Sequence, residues 1–160
     1  MKVAIAYNQF GRPLAESIIV LLHDLGHDVM DLGDSDSQVD YADIAYSAGR
    51  EIIDRHADRA ILICGFGVCT TISANKMKGL YAAPCYDPFE ARVSRSRYDT
   101  NVLCLAERWT DARAACDIVI QWIGTPFEHR ATDTRSLRKI HSIENNTGPR
   151  IQPSQMNPKL

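Results

Sequence analysis

The sequence contains no apolar run near the roughly 20 residues that span a bilayer, and its opening, MKVAIAYNQFG, is too short an apolar stretch for a secretory signal. No membrane partner is expected, and the cytoplasm is the expected location. Charge of one sign is also lacking: 18 Lys and Arg stand against 20 Asp and Glu, and the cations are scattered along the chain. Without an extended basic face to track a phosphodiester backbone, nucleic acid is not an expected partner. Cysteine is present but unpatterned. Cys64, Cys69, Cys85, Cys104 and Cys116 are odd in number, lie mostly in apolar segments, and have no Cys-x-x-Cys or histidine partner at zinc spacing. Reduced thiols are expected, with neither a disulfide framework nor a metal. Internal repeats and low-complexity blocks are absent.

What remains is the balance of one compact domain: 160 residues, 45% hydrophobic and 24% charged. Five short apolar runs, KVAIAY, HDVMDLG, ADRAILICG, YAAPC and NVLCLAE, read as strands because each is brief and is followed by turn or helix-start residues. Between them, Pro13 to Leu25 repeats apolar residues at helical spacing and stops at Gly26. Asp40 to His56, Thr70 to Met77 and Asp87 to Arg97 fill the next three gaps, and Asp111 to Ile123 and Thr132 to Asn145 follow the last strand.

This alternation predicts an α/β fold: a doubly wound, Rossmann-like parallel sheet of about five strands in three layers, with a C-terminal helical arm. Residues 1–145 form the expected domain and 146–160 a polar tail. Such sheets bind ligands at the carboxyl ends of their strands. That rule singles out the loops Tyr7 to Arg12, Cys64 to Thr70 and Glu107 to Trp109.

The second of these loops carries the clearest chemistry. Gly65 and Gly67 would let the backbone turn sharply, and a helix starting near Thr70 would aim free N–H groups at the same place. Cys64 is then either a buried thiol at a strand end or a reactive one above an anion-binding loop. Cys85, Cys104 and Cys116 read as small core residues, and Cys69 as packed under the loop rather than a second acid or base. A dinucleotide site is set aside: GFGVCT has Thr70 where a third glycine would stand, and YNQFGRP after the first strand is not glycine-rich. No cofactor is expected.

Taken together, VDYADIA, DRAILICGFGVCTTISANK, RVSRSRYDTNVLCLAER and the closing Arg-bearing helix resemble the ribose-5-phosphate isomerase type B and galactose-6-phosphate isomerase family, over about residues 2–143. The resemblance implies an aldose–ketose isomerase of small sugar phosphates, an intramolecular oxidoreductase working through an enediolate without metal. It also implies a homodimer or homotetramer with active sites between subunits. Cys64 falls on the position of the base, Gly65, Gly67 and Thr70 on the enediolate cradle, and Phe66, Val68 and Cys69 on the same substrate loop. Tyr41 matches a position lining the sugar pocket, and Asn101 one whose neighbourhood reaches substrate from the adjoining subunit. Arg130 and Arg135 are the expected phosphate ligands.

Four positions depart from the family pattern. Asn8 and Gln9 stand where an Asp-His pair is usual, Phe66 where a threonine polarises substrate, and Arg97 where a histidine opens the sugar ring. A guanidinium does not exchange protons near neutral pH. The expectation is therefore an isomerase favouring an open-chain tetrose phosphate, and the alternative is a non-catalytic or regulatory sugar-phosphate-binding homologue, or partner subunit of a two-chain isomerase.

Overall fold

The computed structural model describes residues 1–33 and 39–148. Among these, five strands form one parallel sheet: β1 (Lys2–Tyr7), β2 (Asp28–Asp31), β3 (Arg59–Cys64), β4 (Ala82–Pro84) and β5 (Val102–Ala106), in the order β2-β1-β3-β5-β4. The helices are α1 (Arg12–Asp24), α2 (Tyr41–Ile53), α3 (Val68–Ala74), α4 (Pro88–Tyr98), α5 (Ala112–Gly124) and α6 (Ala131–Glu144). Every expected strand and helix is present, with ends shifted by a few residues at most. Residues 1–128 make one compact unit, and a second unit begins at His129 with α6 as its described element. Of the expected tail, residues 149–160 lie outside the described residues.

The sheet sorts its side chains by parity. Val3, Ile5 and Tyr7 of β1, Ile61 and Ile63 of β3, and Leu103 and Leu105 of β5 share one core with Leu14, Ile18 and Leu22 of α1 and Ile118, Val119 and Trp122 of α5. Ala4, Ala6, Ala60, Leu62, Val102 and Cys104 face the other way, onto Ile44, Ala45 and Ala48 of α2 and Ala74 of α3. Large residues therefore fill one layer, while small ones let α2 and α3 come close on the other. Gly49 of α2 lies just as close to the segment after α3: a Cβ there would lie 2.7 Å from Met77 Sδ and 2.8 Å from Leu80 Cδ1. Cys64 follows Leu62 by two residues, so it faces the α2 and α3 layer at the carboxyl end of its strand.

The starts of α2, α4 and α5 are fixed by aspartates that occupy otherwise orphaned amides. Asp40 caps α2, accepting from Ala42 N–H at 2.7 Å and Asp43 N–H at 3.1 Å, and Asp43 closes a capping box. Asp87 and Asp111 cap α4 and α5. The α2 cap bears on the candidate site, because Tyr41 is the first residue of that helix.

All five cysteines are free thiols. Burial pushes the Cys85 thiol up to about 11 and the Cys104 thiol up to about 12, so both stay protonated at neutral pH. Among the described residues, no helix is long and apolar enough to cross a membrane.

Candidate active site

Strand β3 delivers Cys64 into a tight turn. Gly67 adopts φ +74°, a left-handed conformation that glycine takes without a steric penalty, and this lets α3 begin at Val68, two residues earlier than the sequence implies. The turn brings Gly67 N–H to 3.1 Å from Cys64 Sγ. Thr70, fully buried one turn further on, places its hydroxyl 3.3 Å from the same sulfur and 3.3 Å from the carbonyl of Gly67. That hydroxyl has one proton and two acceptors within reach. It can donate to the carbonyl while sulfur keeps its proton, and turn to the sulfur when charge develops there. Two groups able to donate thus face the sulfur and would stabilise negative charge on it.

Gly67→Ala tests the turn. A Cβ there meets only ordinary contacts at 3.8 Å, so the cost is confined to the backbone conformation. About 1–2 kcal/mol of stability is expected to be lost, visible as a lowered chemical-denaturation midpoint with an unchanged slope.

Cys64 is 1% exposed, yet it contributes to a pocket of about 350 Å³ with Tyr41, Phe66, Val68, Cys69, Ile72 and Ser73. The pocket is mostly apolar, with the thiol at its base. Cys69 corrects the sequence expectation, because it is exposed and lines the pocket instead of packing under the loop. Helical geometry explains this: residues 69 and 70 point about 100° apart, so burying Thr70 turns Cys69 outward.

Phe66 forms a half-exposed aromatic wall. Its ring lies 6.5 Å from that of Trp109, and the Arg108 guanidinium sits 5.4 Å from its centroid. Its carbonyl accepts from the Tyr86 hydroxyl at 3.1 Å. Arg108 N–H in turn donates to the Gly65 carbonyl at 3.2 Å, joining the loop after β5 to the loop after β3.

Tyr41 enters from α2 and directs its hydroxyl to Glu107 Oε1 at 3.5 Å, passing over Gly65, where a Cβ would lie 3.4 Å from the phenol oxygen. The Glu107 backbone N–H donates to the carbonyl of Cys64 at 3.0 Å. Burial raises the pKa of the Glu107 carboxyl, and the Arg108 charge and the Tyr41 hydrogen bond only partly oppose that. Glu107, Arg108, Ile72 and Ser73 were not singled out individually from the sequence. The strand-end rule pointed at the loop containing the first two, but nothing in their residue type marked them.

The remaining expected site residues divide clearly. Asn8 is buried and closes a turn, its Oδ1 accepting from Phe10 N–H at 3.1 Å, while Gln9 is exposed beside it. Asn101 stands at the amino end of β5, where its amide accepts from Tyr81 N–H at 2.8 Å and donates to the Gly79 carbonyl at 2.9 Å. Arg97 lies in the last turn of α4, the helix that runs back toward the amino ends of the strands. Cys64 pairs with Ala106 at the opposite end of β5, so Asn101 and Arg97 do not meet Cys64 within one chain. Arg130 is the N-terminal cap residue of α6 and Arg135 lies within it, both exposed in the second unit. Among the described residues, no group of three or more His, Cys, Asp or Glu could hold a metal ion.

Comparison with known proteins matches residues 3–143 to the ribose/galactose isomerase family model. The chain is 35% identical to ribose-5-phosphate isomerase B of Escherichia coli over 79% of this chain and 86% of that one. It is 29% identical to D-erythrulose-4-phosphate isomerase 2 of Mycolicibacterium smegmatis, over 81% of this chain and 82% of that protein. The structure of Clostridium thermocellum ribose-5-phosphate isomerase B superposes with a TM-score of 0.85 at 34% identity, covering 91% of this chain and 99% of the other.

Proposed function

The chain belongs to the ribose/galactose isomerase family, and on that premise we propose that it interconverts an aldose and a ketose phosphate, with Cys64 moving the proton between carbons one and two and a tetrose phosphate preferred. The observation that carries this reading is the thiol at the base of the pocket, with Gly67 N–H and the Thr70 hydroxyl both directed at its sulfur. The thiolate removes a proton from the carbon beside the carbonyl. The loop from Gly65 to Thr70 faces the enediolate that results, and the thiol returns the proton to the neighbouring carbon.

The substrate preference rests on what the pocket lacks. Among the described residues its lining includes no histidine, the side chain whose ordinary pKa best suits a ring-opening proton transfer, and Phe66 offers only an aromatic face. A four-carbon sugar phosphorylated on carbon four has no free hydroxyl with which to close a furanose, so it needs no such group. The pocket of about 350 Å³ is at the small end of the range for ligand sites, which suits a short substrate. One relative is itself named for erythrulose 4-phosphate.

We also read the protein as a homodimer or homotetramer. Arg97 and Asn101 stand at the far end of the sheet from Cys64, so they can reach a substrate on Cys64 only from a second copy. Arg130 and Arg135 remain the proposed phosphate ligands.

Steady-state kinetics with D-erythrulose 4-phosphate and D-ribose 5-phosphate test the preference. The expected result is a kcat/KM at least about tenfold higher for the tetrose, since the pentose must first open its ring without a histidine at the pocket. Faster turnover of the pentose overturns the preference. Tight binding of both sugars with no solvent-deuterium exchange at the carbon beside the carbonyl would instead establish the non-catalytic alternative, in which Phe66 closes the pocket to chemistry.

A further inference from the structure

Aldose–ketose isomerisation moves two protons. One passes between carbons, and Cys64 accounts for it in the function proposed above. The other must leave the hydroxyl oxygen on one carbon and arrive at the carbonyl oxygen on its neighbour. Asn8, Gln9, Phe66 and Arg97 supply no group for that transfer, because amides, a phenyl ring and a guanidinium do not exchange protons near neutral pH.

The end of β5 holds a group that can. Glu107 follows Ala106, which pairs with Cys64 across the sheet. One carboxylate oxygen receives the Tyr41 hydroxyl at 3.5 Å, and Tyr41 lines the pocket that contains the Cys64 thiol. The other oxygen, Oε2, is buried and has no hydrogen-bond partner among the described residues. An unpartnered buried oxygen is costly on a carboxylate and far cheaper on a carboxylic acid. Glu107 also borders a second hollow of about 270 Å³ with Phe10, Pro13, Leu14, Thr110 and Ala112, none of which brings a charge. The titratable and charged groups that face it are Tyr41 from α2 and Arg108 from its own loop. From β3, the neighbouring titratable group is Cys64.

We infer that Glu107 is a positioning and proton-storing residue for the oxygen-to-oxygen transfer, acting through the Tyr41 phenol. In the aldose-to-ketose direction the Cys64 thiolate takes the proton from carbon two. The carbon–hydrogen electron pair forms the double bond between carbons one and two, and the carbonyl electrons move onto oxygen one. Tyr41 gives its proton to that oxygen and takes one from the Glu107 acid, leaving a neutral enediol, a phenol and a carboxylate. In the return half, the hydroxyl on carbon two gives its proton to Tyr41, and the Tyr41 proton goes to Glu107. The carbonyl forms at carbon two while carbon one takes the proton from the Cys64 thiol. Thiolate, phenol and acid are all restored, and no external reactant is consumed.

This relay rests on the isomerase reading, and the test separates the two. Wild type, E107Q, E107D and Y41F are assayed for turnover of erythrulose 4-phosphate, for deuterium exchange and for melting temperature across pH 5–9. E107Q is expected to lose about 100-fold in kcat with KM changed less than about threefold. The relay predicts that wild-type turnover falls on the alkaline side as Glu107 gives up its proton, and that E107Q lacks this alkaline limb. Y41F should lose the same limb, E107D should recover part of the rate, and the double variant E107Q/Y41F should be no slower than the slower single one.

The stability of E107Q provides a separate check with a defined sign. A carboxyl whose pKa is raised on folding contributes stability below its unfolded pKa, and that contribution is lost as pH rises through the folded value. Removing the charge should therefore leave E107Q relatively more stable than wild type at pH 8 than at pH 4. If E107Q melts early at every pH, Y41F carries the kinetic test alone. Retention of both kcat and the alkaline limb in E107Q overturns the relay and leaves the isomerase reading standing. A wild type without exchange or turnover overturns the isomerase reading, and the relay with it.

Discussion

Cys64→Ala is expected to abolish deuterium exchange into a phosphorylated ketose, lowering the rate by about 10³-fold or more, while the affinity for that ketose changes less than about threefold. The two quantities separate because the thiol is one small part of a pocket whose remaining lining comes from α2, the Gly65 to Gly67 turn and α3. The Gly65 to Thr70 turn holds its shape through the left-handed Gly67 and the Thr71 hydroxyl, which donates to the Gly67 carbonyl at 2.6 Å without involving the sulfur. Removing one sulfur atom from a buried strand end costs about 1 kcal/mol in packing, too little to unfold the domain. Cys64→Ser sharpens the result, because it retains a small polar group in contact with Gly67 N–H and Thr70 but ionises far less readily than a thiol. It should be nearly as slow as the alanine variant. Exchange from Cys64→Ala at the wild-type rate would remove Cys64 from the mechanism, and calorimetric binding by the same protein would show whether the pocket is intact.

The sheet was legible because its strands announce themselves locally. KVAIAY became Lys2–Tyr7 and NVLCLAE became Val102–Ala106, each a short apolar run bounded by residues that cannot continue a strand core. Misreadings came where backbone geometry, not side-chain pattern, decides. A glycine at φ +74° advanced the start of α3 from Thr70 to Val68, and the burial of Thr70 in that helix turned Cys69 into the pocket. Of the residues that line the pocket, the family resemblance pointed to Cys64, Tyr41, Phe66, Val68 and Cys69. It did not point to Glu107, because a glutamate after a strand looks like any solvated charge. It becomes distinctive only when the Asp40 cap starts α2 at Tyr41 and places a phenol against it, a contact spanning 66 residues of sequence. Arg97 and Asn101 show the opposite case: their motif reads plainly in the sequence, yet one chain places them at the wrong end of the sheet for Cys64.

The amino end of the sheet carries the second large effect, in Trp122→Ala. Trp122 is fully buried in the α1–α5 core, and its indole N–H donates to the Thr100 hydroxyl at 3.0 Å. The Thr100 hydroxyl donates to Ser94 Oγ at 3.1 Å, and the Arg95 guanidinium donates to the Thr100 carbonyl while pairing with Asp99 at 2.9 Å. Two cations flank the ring, Arg59 at 5.3 Å and Arg95 at 5.9 Å from its centroid. Arg59 also holds the end of α5, donating to the carbonyls of Trp122 at 3.2 Å and Ile123 at 3.0 Å. Burial, followed by the Arg95 charge, pushes the Arg59 guanidinium down to about 10, so it still carries its charge at neutral pH. Truncating the indole removes the packing, strips a buried hydroxyl of its donor and takes away the face on which the buried Arg95 and half-buried Arg59 guanidinium groups rest. The expected loss is about 3–5 kcal/mol, or roughly 6–20 °C in melting temperature. Trp122→Phe keeps most of the ring and loses the hydrogen bond, so it should cost only about 1–2 kcal/mol. The same network fixes the segment from Arg95 to Asn101. If that segment reaches substrate from a second subunit, the folded fraction of Trp122→Ala should show a raised KM with kcat little changed. An unaltered melting temperature would mean that the core closes over the lost indole, and an unaltered KM in the folded protein would remove Arg97 and Asn101 from substrate binding.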